Sequence, residues 1–294
     1  MRAFIPSPAA QRNLVLAVLL LAAAACWAWL SARSGGMDMA AMARPTLGLP
    51  AASFLAMWAI MMIAMMYPTA APMVLTFHRI EAGKRTRGEA FVSTWLFVAG
   101  YTIVWAAAGI AAYAAAVAAE RTAARAGLTA VAAARIGGAL LIVAGLYQLT
   151  PLKSACLSKC RSPIAFVLTA WRDGPWGAVR MGVVHGATCL GCCCMLMAIL
   201  FPLGLMNLAA MAIVMFVVFA EKALPRQRIA VWGTAAFLVL YGAIVIAQPR
   251  ALPTFAPAMA MPADPSAMPM SMPGMKATGV NMKMPPAAAA PDKR

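Results

Sequence analysis

The stretch "MGVVHGATCLGCCCMLMAILFPLGLMNLAAMAIVMFVVFA", residues 181–220, runs for forty positions without a charged side chain. An α-helix rises about 1.5 Å per residue, so ~20 apolar residues cross the ~30 Å hydrocarbon core of a bilayer. Forty are too many for one crossing and suit two antiparallel ones, parted at Pro202 and Gly204.

Outward from this stretch the chain repeats the pattern. Apolar runs at 13–32, 51–77, 90–119, 136–152, 180–203, 206–221 and 229–248, charge-free but for Arg180 and Glu221 at their ends, predict about seven membrane helices. The expected fold is therefore an all-α polytopic transmembrane bundle. The run at 136–152 is the weakest, diluted by Gly137, Gly138 and Gly145 and closed by Pro151. Composition agrees: of 294 residues, 64% are hydrophobic and 11% charged, far from the balance of a soluble domain.

The net charge of +16 is not a nucleic-acid footprint, because Lys and Arg sit in short clusters between apolar runs and form no single basic face. They read as orientation signals. With the N-terminus inside, fourteen Lys and Arg residues fall in inner segments and six in outer segments near the membrane. That count includes Lys153, Lys159, Arg161 and Lys222 on the inner side. It predicts a bacterial inner-membrane protein with a cytoplasmic N-terminus and a periplasmic C-terminus. Arg2 and Arg12 before an apolar run resemble a secretory signal, with Ala23-Ala24-Ala25-Cys26 as a faint cleavage box; the apolar run continues past Cys26, which favours a retained helix.

Three regions follow: residues 1–50, a leading helix and outer loop; 51–250, a six-helix membrane domain; and 251–294, a Met/Pro-rich tail expected to be disordered. The outer loop carries Met37, Met39 and Met42. The tail carries methionines at 259, 261, 268, 270, 272, 275, 282 and 284. A thioether is a soft ligand that suits Cu(I), holds no proton to lose and forms no disulfide. Such segments fit copper capture outside the cytoplasm, although low-complexity sequence alone has the same look.

The densest chemistry is "CLGCCCMLM", residues 189–197. On a helix, residues three and four apart share a face. His185, Cys189, Cys193 and Met197 follow one another at intervals of four and Cys192 falls beside them, so one stripe carries imidazole, three thiols and a thioether. Cys194 lies off it. A small buried hydrophobe is the alternative role for any one cysteine, but polar groups at membrane depth are a functional signal when they gather. Met57, Met61 and Met65, with Met62 and Met66 beside them, line the second helix at the same spacing. Met61 and Met65 are candidates to complete a metal site, or else adaptable core filling. Pro68 and Pro72 predict a broken helix there. "MMIAMMYP" (61–68) and "MLMAILFP" (195–202) share a pattern that admits a 3+3 inverted repeat after the leading helix. A further pair, Cys156 and Cys160, lies in a basic loop expected to face the cytoplasm, where Lys153, Lys159 and Arg161 are expected to favour thiolate.

The segments "YQLTPLKSACLSKCRSP" (147–163), "CLGCCCMLMA" (189–198), "FPLGLMNLAAM" (201–211) and "EKALP" (221–225), with the Met-rich second helix, resemble a bacterial family of predicted metal-binding integral membrane proteins of unknown function. The resemblance covers about residues 50–250. It implies metal binding, with Cys156, Cys160, Cys189, Cys192 and Cys193 at the motif positions; Cys194 stands where an aromatic residue is expected.

The expected function is binding of a soft metal, Cu(I) foremost, for transport or delivery, with a metallochaperone or a copper enzyme under assembly as partner. The chain has no H-E-x-x-H, phosphate loop or acidic pair, which weighs against a hydrolase or an ATP-driven pump. Two other classes stay open. One is a membrane thiol-disulfide oxidoreductase relaying electrons between Cys156/Cys160 and the cluster; the other is a passive assembly partner of a membrane complex.

Overall fold

A computed structural model describes residues 8–35 and 44–255. The methionines of the first outer loop and of the tail lie outside the described residues. All regular structure among the described residues is helical: α1 (Pro8–Ser34), α2 (Ala51–Thr86), α3 (Thr94–Arg125), α4 (Ala130–Tyr147), α5 (Pro151–Arg161), α6 (Pro163–Ala170), α7 (Gly174–Ala198), α8 (Leu200–Leu203), α9 (Leu208–Ala223) and α10 (Gln227–Ala247), closed by a 3₁₀ turn at Pro249–Ala251. Six of these segments are long and apolar enough to cross a membrane, α7 and α8 counting together. The run at 206–221 is the 16-residue helix α9, about 24 Å long.

Several boundaries differ from those read off charge. Helices continue into charged residues, so α2 extends to Thr86 and α3 to Arg125. The run 136–152 splits. Its helix starts earlier, with the Thr129 side chain accepting from the Ala132 N–H, and Pro151 opens the separate helix α5, capped by Thr150 on the Lys153 N–H. The turn between α8 and α9 stands where Pro202 and Gly204 parted the charge-free run. Gly204 adopts φ +94°, which suits glycine, and Asn207 caps α9 by accepting from the Ala210 N–H. The α1 helix runs unbroken through Ala23–Cys26.

The expected break in α2 is absent, because the helix passes through both Pro68 and Pro72. Pro68 has no N–H to give to the carbonyl four residues before it, that of Ala64. The Trp27 indole N–H of α1 donates to that oxygen at 3.2 Å, so the bond lost within α2 is replaced by one that docks α1 on it.

Two glycine seams bring helices together. A Cβ at Gly100 would run into the Val179 carbonyl and one at Gly182 into that of Phe97, which sets α3 backbone to backbone with α7. Gly138 and Gly145 do the same for α4 against the Gly242 and Ala235 carbonyls of α10. Gly138 and Gly145, two of the three glycines that made the fourth run look weak, are the surface on which α10 packs. The main core gathers the α2 methionines, the α7 cysteines and the apolar face of α9.

Candidate metal centre

Helical periodicity alone assembles the centre of the site. Cys189, Cys192 and Cys193, at spacings of three and four on α7, are fully buried, and their Sγ atoms lie within 4.8 Å of one another. The thiols of Cys192 and Cys193 both donate to the Cys189 carbonyl, at 3.0 and 2.9 Å. Metal–thiolate bonds of ~2.3 Å hold sulfurs about 4.0–4.6 Å apart, so three thiols this close need little movement to share one ion. Cys194, off the stripe, is half-buried and stands outside the triad.

The rest of the stripe is buried too. Met197 packs in the same core, as do Met61 and Met65 of α2, both with no exposed surface. His185 is 2% exposed and lies one turn before Cys189. Its ring stacks on Phe97 and Tyr101 and meets the edge of Phe166, yet neither ring nitrogen has a hydrogen-bond partner. A buried polar group with no partner costs free energy and calls for an explanation. An imidazole with both nitrogens open is a donor for Cu(I) or Zn(II).

The pair Cys156/Cys160 is not on a loop. Both lie on α5, which packs against α7, with the Cys156 Sγ over Gly191 and the Cys160 Sγ 4.0 Å from that of Cys192. The basic residues around them do not tip the pair towards thiolate. Lys153 is consumed by a buried ion pair with Glu221 at 2.7 Å, and Arg161 donates to the Glu221 carbonyl at 2.7 Å. The Cys160 thiol is pushed up by hydrogen bonding to Cys189 and Cys192 and by burial. Burial and the nearby Cys192 push Cys156 up, against a lesser pull from Lys159.

Three neighbours of the cluster were not singled out from sequence. The Lys222 ammonium donates to the Cys189 Sγ at 3.2 Å and to the Thr69 Oγ1 at 3.1 Å, and the Tyr101 hydroxyl lies 3.2 Å from the same sulfur. Lys222, counted as a loop charge, instead brings positive charge to the sulfur cluster. The signal was present: Glu221 and Lys222 end a forty-residue run otherwise free of charge. Tyr101 and Thr69 carry no such mark.

The donor set is soft, and Lys222 offsets part of the negative charge that several thiolates around a monovalent ion would carry. Cu(I) fits these residues. The sequence pattern of the PpoB2 family, described as copper chaperone, matches residues 55–245, about two thirds of the chain. No curated protein and no solved structure matches it.

Proposed function

Because the chain belongs to the PpoB2 copper chaperone family, we propose that it holds Cu(I) within a membrane on Cys189, Cys192 and Cys193 and hands the ion on. The observation that carries this is the convergence of three buried thiols within 4.8 Å. Met197, Met61, Met65 and Cys156 make up the surrounding donors, and His185 stands one turn away on the same stripe. The recipient is a metallochaperone or a copper enzyme under assembly.

The test is metal and thiol analysis of the purified full-length protein beside its Cys189/Cys192/Cys193→Ser variant. Wild type is expected to retain about one Cu(I) per chain, with reduced thiols, and the variant to retain little. The proximity of Cys160 to Cys192 also suits the second reading, a thiol-disulfide relay, since those sulfurs need only close from 4.0 Å to the ~2.05 Å of a disulfide. A relay would cycle between thiol and disulfide without metal, and that result would displace the copper reading.

For orientation, the reading is a bacterial inner membrane with the N-terminus cytoplasmic and the Met-rich tail outside, where its thioethers collect or release copper. A reporter active only in the cytoplasm, fused after Arg294, is expected to stay silent. Strong activity there would overturn both the orientation and the capture role.

A further inference from the structure

Beside the thiol cluster, α2, the α5–α6 junction, α7 and α9 leave a cleft of about 70 Å³. Its lining includes Cys160, His185, Met73, Thr69, Arg161 and Lys222. Three of these are soft or borderline donors from three different helices: a thiol, an imidazole and a thioether. They differ in kind from the triad. Cys189, Cys192 and Cys193 come from one rigid helix face, and none of them lines this cleft.

We propose that the cleft is a second Cu(I) position, formed by Cys160, His185 and Met73, through which copper passes between the thiol triad and an external thiol carrier. The inference rests on the copper reading of the triad and adds a site and a route to it. Four observations converge. His185 is 2% exposed, lines the cleft, and leaves both ring nitrogens unpartnered. The aromatic rings of Phe97, Tyr101 and Phe166 fix its plane. Met73, 2% exposed, lines the same cleft one turn from Thr69, which is bonded to Lys222. Cys160 belongs to both places, since it lines the cleft and its sulfur is 4.0 Å from Cys192.

The transfer step is a ligand exchange without redox change. The bond between Cu(I) and the Cys192 sulfur breaks as one to the Cys160 sulfur forms, the Cys160 thiol proton passing to Cys192, and the bonds to Cys189 and Cys193 give way to the His185 nitrogen and the Met73 sulfur. Copper stays Cu(I) throughout. The carrier's thiol then displaces Cys160, its proton passing to the Cys160 sulfur, while His185 and Met73 hold the ion, and Arg161 and Lys222 at the cleft favour an anionic carrier.

The test compares Cys160→Ser and His185→Phe with wild type, all loaded with Cu(I), by following copper release to excess glutathione. Phe keeps the ring stack of His185 and removes its nitrogens. Both variants are expected to keep their tightly bound copper and to release it at least ~10-fold more slowly, in line with the loss of a supporting metal contact. In the Cys189/Cys192/Cys193→Ser background, Cu(I) titration with X-ray absorption is expected to find a weaker site with nitrogen and sulfur neighbours, lost on adding His185→Phe or Met73→Leu. Release at the wild-type rate, or a triad-free protein that binds no copper, would overturn the second position while leaving the triad reading intact. Loss of the tight copper in Cys160→Ser would overturn it too, by making Cys160 a ligand of the first site. Wild-type protein that takes up no copper would remove the copper reading itself, and this one with it.

Discussion

Cys193→Ser is expected to weaken Cu(I) binding by more than ~100-fold, while Cys194→Ser leaves it unchanged. Serine nearly matches cysteine in size, and its hydroxyl can still donate to the Cys189 carbonyl, as the Cys193 thiol does at 2.9 Å. The fold therefore loses little. What is lost is a soft sulfur, replaced by a hard, weak ligand. Changes to groups that only support a metal ligand cost about 10–100-fold, so loss of a ligand should exceed that range. Cys194 is the control because it is adjacent in sequence and off the stripe. Equilibrium competition for Cu(I) on detergent-purified protein, under reducing conditions, checks both variants. Equal affinity in the two would mean that the shared helix face has no bearing on the cluster.

The face itself was legible from spacing because a helix converts intervals of three and four into proximity without help from any other element. Intervals alone place the Cys189, Cys192 and Cys193 sulfurs on one side of α7, and burial then follows from what packs on that side. The bundle was legible for a similar reason, since a run of ~20 apolar residues constrains a helix more tightly than propensity does. Boundaries were less so. Charge marks where a residue leaves lipid, whereas a helix ends where its backbone is capped or broken, and at Pro202–Gly204 the chain turns with no charge to mark it.

Contacts between distant elements were not legible. Nothing local says that the Ala64 carbonyl freed by Pro68 is met by Trp27, 37 residues earlier in the chain, or that Cys160 lies beside Cys192. The same gap explains the reading of the basic segment around Cys156 and Cys160. Counting positive charges near a thiol assumes that those charges are free to act on it. Lys153 and Arg161 are committed to Glu221, and only the packed structure reveals that partner. Lys222 shows the reverse: a charge assigned to solvent lies at the Cys189 sulfur because the last turn of α9 comes level with the middle of α7.

That commitment of Lys153 to Glu221 leads to the second large effect, a loss of stability on Glu221→Ala of about 3–5 kcal/mol, the range seen when one partner of a buried ion pair is removed. The two side chains are 1% and 2% exposed and meet at 2.7 Å, so the variant leaves the Lys153 ammonium buried with no counter-charge. The consequence is local as well as global. Lys153 lies near the start of α5 and Arg161 at its end, and both bond to Glu221, one to its carboxylate and one to its carbonyl. Glu221 thus clamps α5, with Cys160 on it, against α9. Loosening that clamp should expose Cys160, so its labelling by a maleimide is expected to accelerate in Glu221→Ala while the buried triad stays protected. The pair is worth far less than either partner alone, because replacing both by apolar groups of similar size removes the stranded charge with the attraction. Lys153→Met combined with Glu221→Leu is therefore expected to recover most of the lost thermal stability in detergent and to slow Cys160 labelling again. If Glu221→Ala unfolds at the wild-type temperature and its Cys160 labels no faster, the ion pair does not hold α5 in place. The 4.0 Å approach of Cys160 to Cys192 would then have to depend on the packing of Cys156 over Gly191 and of Leu157 in the core.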